Sequence, residues 1–241
     1  MLKKTKAVIL YTLKYGDSSV IVHSFTETDG RMSFWLRIPK TNRAKVKNVL
    51  FQPLSILELD IDVNSKGGLS HIREARAATP LQSIPFNPLK MSLALFIAEY
   101  LGKVLREEAK NEVLYAYLEH SILWLDSCTG VPSNFHLVFL MRFSRFLGLF
   151  PNLEDYHEGD YFDLENGCFV SAQPFHGNFV KGVQAKHIMT LMRMNYDTMH
   201  IFQMNRGERN EILNLILRYY EIHIPTCTGL KSLPVLQELF D

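Results

Sequence analysis

Residues 19–38 read SVIVHSFTETDGRMSFWLRI, two apolar-rich runs joined by Thr28-Asp29-Gly30. Asp-Gly between two such runs is a strong hairpin signal, because glycine reaches the positive φ that tight turns require. In the second run Met32, Phe34, Leu36 and Ile38 alternate with Arg31, Ser33, Trp35 and Arg37. A period of two sends the first set into a core and the second to the opposite face. Trp35 therefore shares a face with two arginines. On the N-terminal side, residues 6–13 are β-branched and apolar and stop at Tyr15-Gly16-Asp17. On the C-terminal side, a polar loop over 39–47 leads to a run where Leu57, Leu59, Ile61 and Val63 alternate with Glu58, Asp60 and Asp62. A Gly-containing turn over 64–68 precedes a last strand, about 69–78.

Five strands in roughly 80 residues, with no helix between them, leave no room for parallel crossovers and predict a small closed barrel. Closure removes the sheet edges, and the five-stranded Greek-key barrel used to bind single-stranded nucleic acid is the leading form. Pro80, Pro85 and Pro88 then mark a boundary, which divides the chain into a barrel over 1–80 and a helical domain over 81–241. Leu89, Leu93, Phe96, Ile97, Leu101, Val104 and Leu105 recur at helical spacing. A second helix is predicted over 111–125 and a third from Ser133, as N-cap, to Leu149. Helical period is lost over 152–179, where six acids fall between Glu154 and Glu165 without a base, and these read as a solvated, irregular excursion. It returns over 184–194 and 206–220. The whole is an α+β protein.

The chain has 241 residues, a net charge of +1, 47% hydrophobic residues and three cysteines. It has no apolar run near the ~20 residues of a membrane span and no secretory signal, so an intracellular, cytoplasmic protein with reduced thiols is expected. The small net charge conceals an asymmetry. Residues 1–80 carry 13 basic and 7 acidic side chains, whereas residues 81–241 carry 13 and 18. Arg31, Arg37, Lys40, Arg43, Lys45 and Lys47 fall in one acid-free stretch, a pattern that attracts polyanions or acidic proteins.

Catalytic chemistry has little foothold here. Neither the phosphate-binding loop ending in Lys-Ser/Thr nor Gly-x-Ser-x-Gly occurs. Asp60 and Asp62 would point the same way from a strand; an exposed strand face explains them more simply than a Mg²⁺-binding nuclease pair. His157, Cys168 and His176 match no compact zinc spacing and lack a Cys-x-x-Cys pair, so unconnected loop residues are preferred to a zinc site, and no metal or cofactor is expected. Trp35, on the outer face, is available to stack on a base, while the lysines and arginines after it track phosphates; a solvated loop beside a partly covered tryptophan is the alternative. Arg142 and Arg145, three apart on an apolar helix, either pair with acids of the excursion or form a pocket for an acidic, hydrophobic peptide terminus.

Collinear with these features, Lys6-Ala-Val-Ile-Leu, Tyr15-Gly16-Asp17-Ser18-Ser19, Phe25-Thr26 with Gly30, the basic loop, Gln52-Pro53, Leu57-Glu58-Leu59, and Arg142-Phe143 with Leu147-Gly148 and Pro151 resemble the RecO family of bacterial recombination mediators. That resemblance implies an OB-fold barrel followed by a helical domain. It implies no enzymatic activity but binding of single- and double-stranded DNA and strand annealing in DNA repair and homologous recombination, in the RecFOR pathway on the nucleoid. The implied partners are RecR, the acidic C-terminal tail of the single-strand binding protein and, indirectly, RecA. Carried over by position, Arg37, Lys40, Arg43, Lys45 and Lys47 meet DNA, and Arg142 and Arg145 meet the acidic tail. A protein-docking adaptor without DNA contact is the rival reading. Many members carry a four-cysteine zinc site in the excursion; only Cys168 lies there in this chain. Tyr156, Tyr161, Phe162, Phe169 and Phe175 are expected to anchor the segment by packing instead.

Overall fold

The computed structural model describes residues 2–37, 48–64, 69–106, 108–130, 132–153 and 156–239, in two compact units, Met1–Thr129 and Gly130–Asp241. In the first, β1 (Leu2–Lys14), β2 (Ser19–Thr26), β3 (Gly30–Arg37), β4 (Ile56–Asp62) and β5 (Ser70–Ala77) close into a barrel of order β1-β2-β3-β5-β4. Every neighbouring pair is antiparallel except β3 and β5, which run parallel with Phe34 opposite Ser70 and Trp35 opposite His71. Five strands closed in this order make the OB-fold barrel expected of the sequence. Over the described residues the alternation works as predicted: Phe34 and Leu36 join Ala7, Ile9, Val20, Val22, Leu57, Leu59 and Ile61 in the barrel core, with Met32 packed at its margin, and Ile38 lies outside the described residues.

β1 is longer than its apolar run because Lys3, Lys4 and Lys6 stand opposite Ile61, Asp60 and Glu58 of β4, and paired backbone continues past the apolar residues. Gly30 closes the β2–β3 turn at φ +71°. A Cβ there would lie 2.4 Å from the Ala109 carbonyl, so both the turn and its neighbour require glycine.

Among the described residues, two α-helices complete this unit. α1 (Pro88–Val104) starts at Asn87, whose side chain accepts from the Leu89 and Lys90 N–H groups, and has proline in its first turn. α2 (Glu112–Ser127) starts at Asn111, which accepts from the Leu114 N–H. α1 packs on β1, so Val8 and Leu10 on the outer side of β1 are as fully buried as Ala7 and Ile9 within the barrel.

The second unit is centred on α3 (Phe135–Phe143), buried on all sides except at Arg142. The predicted single helix from Ser133 to Leu149 is shorter. Asn134 is the cap position, yet its amide donates instead to the Met199 and Phe202 carbonyls at 3.1 and 2.8 Å. After Phe143 the backbone tightens into a 3₁₀ turn, Ser144–Leu147, and left-handed Gly148 ends it. α4 (Val183–Arg193) and α5 (Arg206–His223) pack on α3, and the Tyr220 hydroxyl of α5 donates to the Leu140 carbonyl at 2.8 Å. Asn205 and Glu208 form a capping box at the start of α5, and α6 (Leu233–Glu238) follows it.

The excursion over 152–179 is more ordered than its composition suggests. β6 (Tyr161–Asp163), β7 (Cys168–Val170) and β8 (Phe179–Val180) form an antiparallel sheet of order β7-β6-β8. Two of its acids, expected in solvent, are buried. Asp163 accepts from the Glu165 and Asn166 N–H groups at 2.8 and 3.1 Å and from the Asn166 side chain at 2.7 Å, and Asp160 accepts from the His157 N–H at 2.7 Å. Phe169 packs against Phe162 and Tyr156, with ring centroids 5.0 and 4.7 Å apart, and Tyr161 meets Phe179. Phe175 takes no part, being fully exposed. Among the described residues, no helix is long and apolar enough to cross a membrane.

Candidate nucleic-acid interface

Barrel register places the outward residues of β1, β2, β3 and β5 in rows across the sheet. Leu13 faces Ile21, Ile21 faces Trp35, and Trp35 faces His71, so these four share one face. Leu13 and His71 are exposed, and Ile21 and Trp35 are partly so. Trp35 and His71 meet edge to face with centroids 5.4 Å apart. Arg37 stands exposed beside them on β3.

Lower on the same face the environment closes. Tyr11 and His23 stack at 4.4 Å, and the Ser33 hydroxyl lies 2.7 Å from His23 Nδ1. Burial and the nearby Arg31 charge push His23 down to about 4, so it is neutral at physiological pH. Arg31 donates from Nη2 to the Tyr11 hydroxyl at 3.1 Å and sits over its ring, and its backbone N–H donates to the Glu108 carbonyl. Burial lowers its pKa, with Tyr11 working in the opposite direction. The arginine is thus turned toward Tyr11, away from the exposed position that alternation assigned it. Of the predicted contact residues, partly exposed Trp35 and exposed Arg37 lie on the same face of β3; Lys40, Arg43, Lys45 and Lys47 lie outside the described residues.

On β4 and β5 the charge is balanced, and Asp62 stands directly opposite His71 in the register. Glu58 pairs with Arg76, Asp62 with Arg73 at 2.7 Å, and Asp60 lies 3.9 Å from Lys4. Asp60 and Asp62 therefore each face a cation across the strands. Among the described residues no three His, Cys, Asp or Glu side chains are arranged to hold a metal. His157 lies against Asp160, while His176 stands 3.3 Å from Asp163 and 3.6 Å from Glu165, so the two histidines face different acids. A four-cysteine zinc site does not fit this chain: the strand that would carry part of it offers Cys168 alone, and Asp163 already takes up the neighbouring donors.

In the second unit, Arg142 donates from Nη2 to the Met194 carbonyl at 3.2 Å, and its Nε is buried without a hydrogen-bond partner among the described residues. Arg145 is exposed, its guanidinium 4.0 Å above the Phe150 ring. Among the described residues neither arginine pairs with an acid of the excursion, and two of its acids, Glu154 and Asp155, lie outside them. A cation over an aromatic ring instead offers mixed charged and apolar surface. His71, Ile21 and Leu13 escaped the sequence reading, because the parallel β3–β5 pairing that brings His71 to Trp35 joins strands with no hairpin between them.

Two family models match the chain: the N-terminal domain of recombination protein O over residues 1–81 and its C-terminal domain over residues 85–234. Among curated proteins, "DNA repair protein RecO" of Phocaeicola vulgatus is 53% identical over 240 residues, and that of Bacteroides fragilis 52% over 242, each match covering both chains completely. The protein of the same name from Porphyromonas gingivalis is 32% identical over 249 residues, again covering both chains in full.

Proposed function

From the premise that this chain belongs to the RecO family, and so to the proteins of DNA repair and recombination, we propose that it binds single- and double-stranded DNA through its barrel and anneals complementary strands without any covalent step. The observation that carries this reading is the outer face of β3, where partly exposed Trp35 and exposed Arg37 stand just before the basic run of residues 40–47 in the sequence. Positive charge there lowers the repulsion between two polyanionic strands, and the aromatic ring offers a surface to bases. With RecR, the protein helps load RecA onto DNA coated by the single-strand binding protein, in the cytoplasm and on the nucleoid. Arg142 and Arg145, with Phe150 beneath the latter, receive the acidic tail of that binding protein.

Fluorescence anisotropy with a labelled oligonucleotide tests the first part. If roughly three or four phosphates are neutralised, log affinity falls against log salt with a slope of about −2 to −3. Joint reversal of Lys40, Arg43, Lys45 and Lys47 to glutamate flattens that slope. A folded wild-type protein that retains no oligonucleotide in dilute buffer refutes the reading and leaves the docking-adaptor role. Strand annealing in the presence of intact or tail-truncated single-strand binding protein tests recruitment, which requires stimulation to vanish on truncation.

A further inference from the structure

We propose that a pocket of the second unit, at the start of α5, binds a free nucleoside monophosphate, with Asn134 receiving the amino group of its base and Arg209 holding its phosphate. The pocket has a volume of about 340 Å³, and its walls include Ser133, Asn134, Met199, Phe202, Met204 and Arg209. That volume lies at the small end of the range for small-molecule sites. Asn134 is 6% exposed. Its Nδ2 donates to both the Met199 and the Phe202 carbonyls, so the amide cannot be reversed without setting its oxygen against two acceptors. Oδ1 is left as a pure acceptor, and it is buried with no hydrogen-bond partner among the described residues. An unanswered buried acceptor costs stability, and a ligand N–H brought to it recovers that cost.

Arg209 makes the opposite demand. It is 9% exposed, and burial lowers its pKa while Glu208 works in the other direction. Its Nη1 donates to the Met204 carbonyl, which ties the guanidinium to the same stretch, 199–204, that holds Asn134. The Glu208 carboxylate accepts from the Asn205 N–H at 2.8 Å, in the capping box. Arg209 also belongs to the first turn of α5, and that end of a helix favours negative charge. A phosphate answers a largely desolvated guanidinium through charge-assisted hydrogen bonds. Met199, Phe202 and Met204 supply the apolar wall, and thioether and ring surfaces suit a flat aromatic face. A donor, an aromatic face and an anion on one small molecule describe a nucleotide whose base bears an amino group. An amino acid carries its donor and its anion on a single carbon and would leave much of the volume unused.

Calorimetric titration of the full-length protein with adenosine monophosphate tests the site. Saturable binding with a Kd of about 0.1 mM or tighter is expected, with adenosine roughly tenfold weaker. Purine riboside monophosphate, which lacks the amino group, binds severalfold more weakly than adenosine monophosphate. Arg209→Met removes the preference for the phosphorylated ligand and leaves adenosine bound as in wild type, a change that loss of fold would not produce. Should that variant lower the thermal midpoint, Ser133→Leu carries the test. It narrows the pocket, keeps both polar groups, and is expected to weaken adenosine monophosphate about tenfold. Oligonucleotide affinity stays within about twofold in both variants. Absence of saturable binding by the wild type, equal affinity for the nucleotide and the nucleoside, or unchanged nucleotide affinity in both variants overturns the proposal. So does an equal loss of oligonucleotide binding in Arg209→Met, which would make the pocket part of a DNA surface. A peptide with a free C-terminal carboxylate that binds where the nucleotide does not would assign the pocket to a protein terminus and equally refute it.

Discussion

Lys90 is 3% exposed, and its charge is kept out of water by three acceptors. Nζ donates to the Ser83 hydroxyl at 2.8 Å, the Asp126 carbonyl at 3.0 Å and the Cys128 carbonyl at 2.8 Å. The Asp126 carboxylate in turn accepts from the backbone N–H groups of Gln82, Ser83 and Ile84 at 2.7 to 2.8 Å. One lysine and one aspartate thus tie the segment after the barrel to α1 and to the end of α2. Lys90→Met leaves those acceptors unanswered and is expected to cost about 2 kcal/mol or more, read as a lower urea midpoint at unchanged slope. Burial alone would raise the Asp126 pKa, but the three N–H donors outweigh it and hold the carboxyl below its ordinary range. Such a depressed pKa contributes stability that is complete above the unfolded value of about 3.9 and is lost as pH falls through the folded one. Asp126→Asn is therefore expected to lower stability at neutral pH and to flatten its decline below about pH 4. A decline as steep as wild type would remove Asp126 from that role.

At the scale of elements, α1 reaches β1 so closely that Gly102 is required where it passes Tyr11. A Cβ on Gly102 would lie 2.7 Å from the Tyr11 ring, which is itself held by His23 and Arg31. Alanine in a helix is favoured over glycine by ~1 kcal/mol, so propensity alone makes Gly102→Ala stabilising. The crowded ring reverses the sign, and a net loss of stability is expected. Combining it with Tyr11→Leu should recover part of that loss, a coupling that a double-mutant cycle in urea measures directly. Within the barrel, Phe34 is fully buried between strands, and Phe34→Ala is expected to cost about 3–5 kcal/mol. Neighbouring Trp35, which points the other way, should be far less costly to replace. That contrast checks the alternation that assigned the two rings to opposite faces.

At the scale of the whole molecule, the first compact unit extends through Thr129, beyond the last barrel strand. Val8 and Leu10 explain why the barrel needs the helices: both have no exposed surface although they lie outside the barrel core. A fragment of residues 1–129 is expected to melt cooperatively, whereas residues 1–80 alone should be poorly soluble or unfolded, as circular dichroism would show. The second unit holds its small sheet by hydrogen bonds to Asp163 and by the packing of Phe162 and Phe169. Its thermal midpoint is therefore expected to be unmoved by a chelator, and a drop of several degrees would reveal a metal. Much of this architecture was legible in the chain. Alternation in residues 31–37 predicts which ring of the Phe34–Trp35 pair enters the core, Asp29-Gly30 predicts the hairpin, and three prolines predict where the strands end, because each is a local property of backbone sterics or of a two-residue period. The basic stretch was legible for the same reason, since charge is carried by composition. Tertiary structure alone decided the rest. It turned Arg31 to Tyr11, tied Asn134 to the Met199 and Phe202 carbonyls and set His71 beside Trp35, because each depends on a residue distant in sequence whose approach no local pattern encodes.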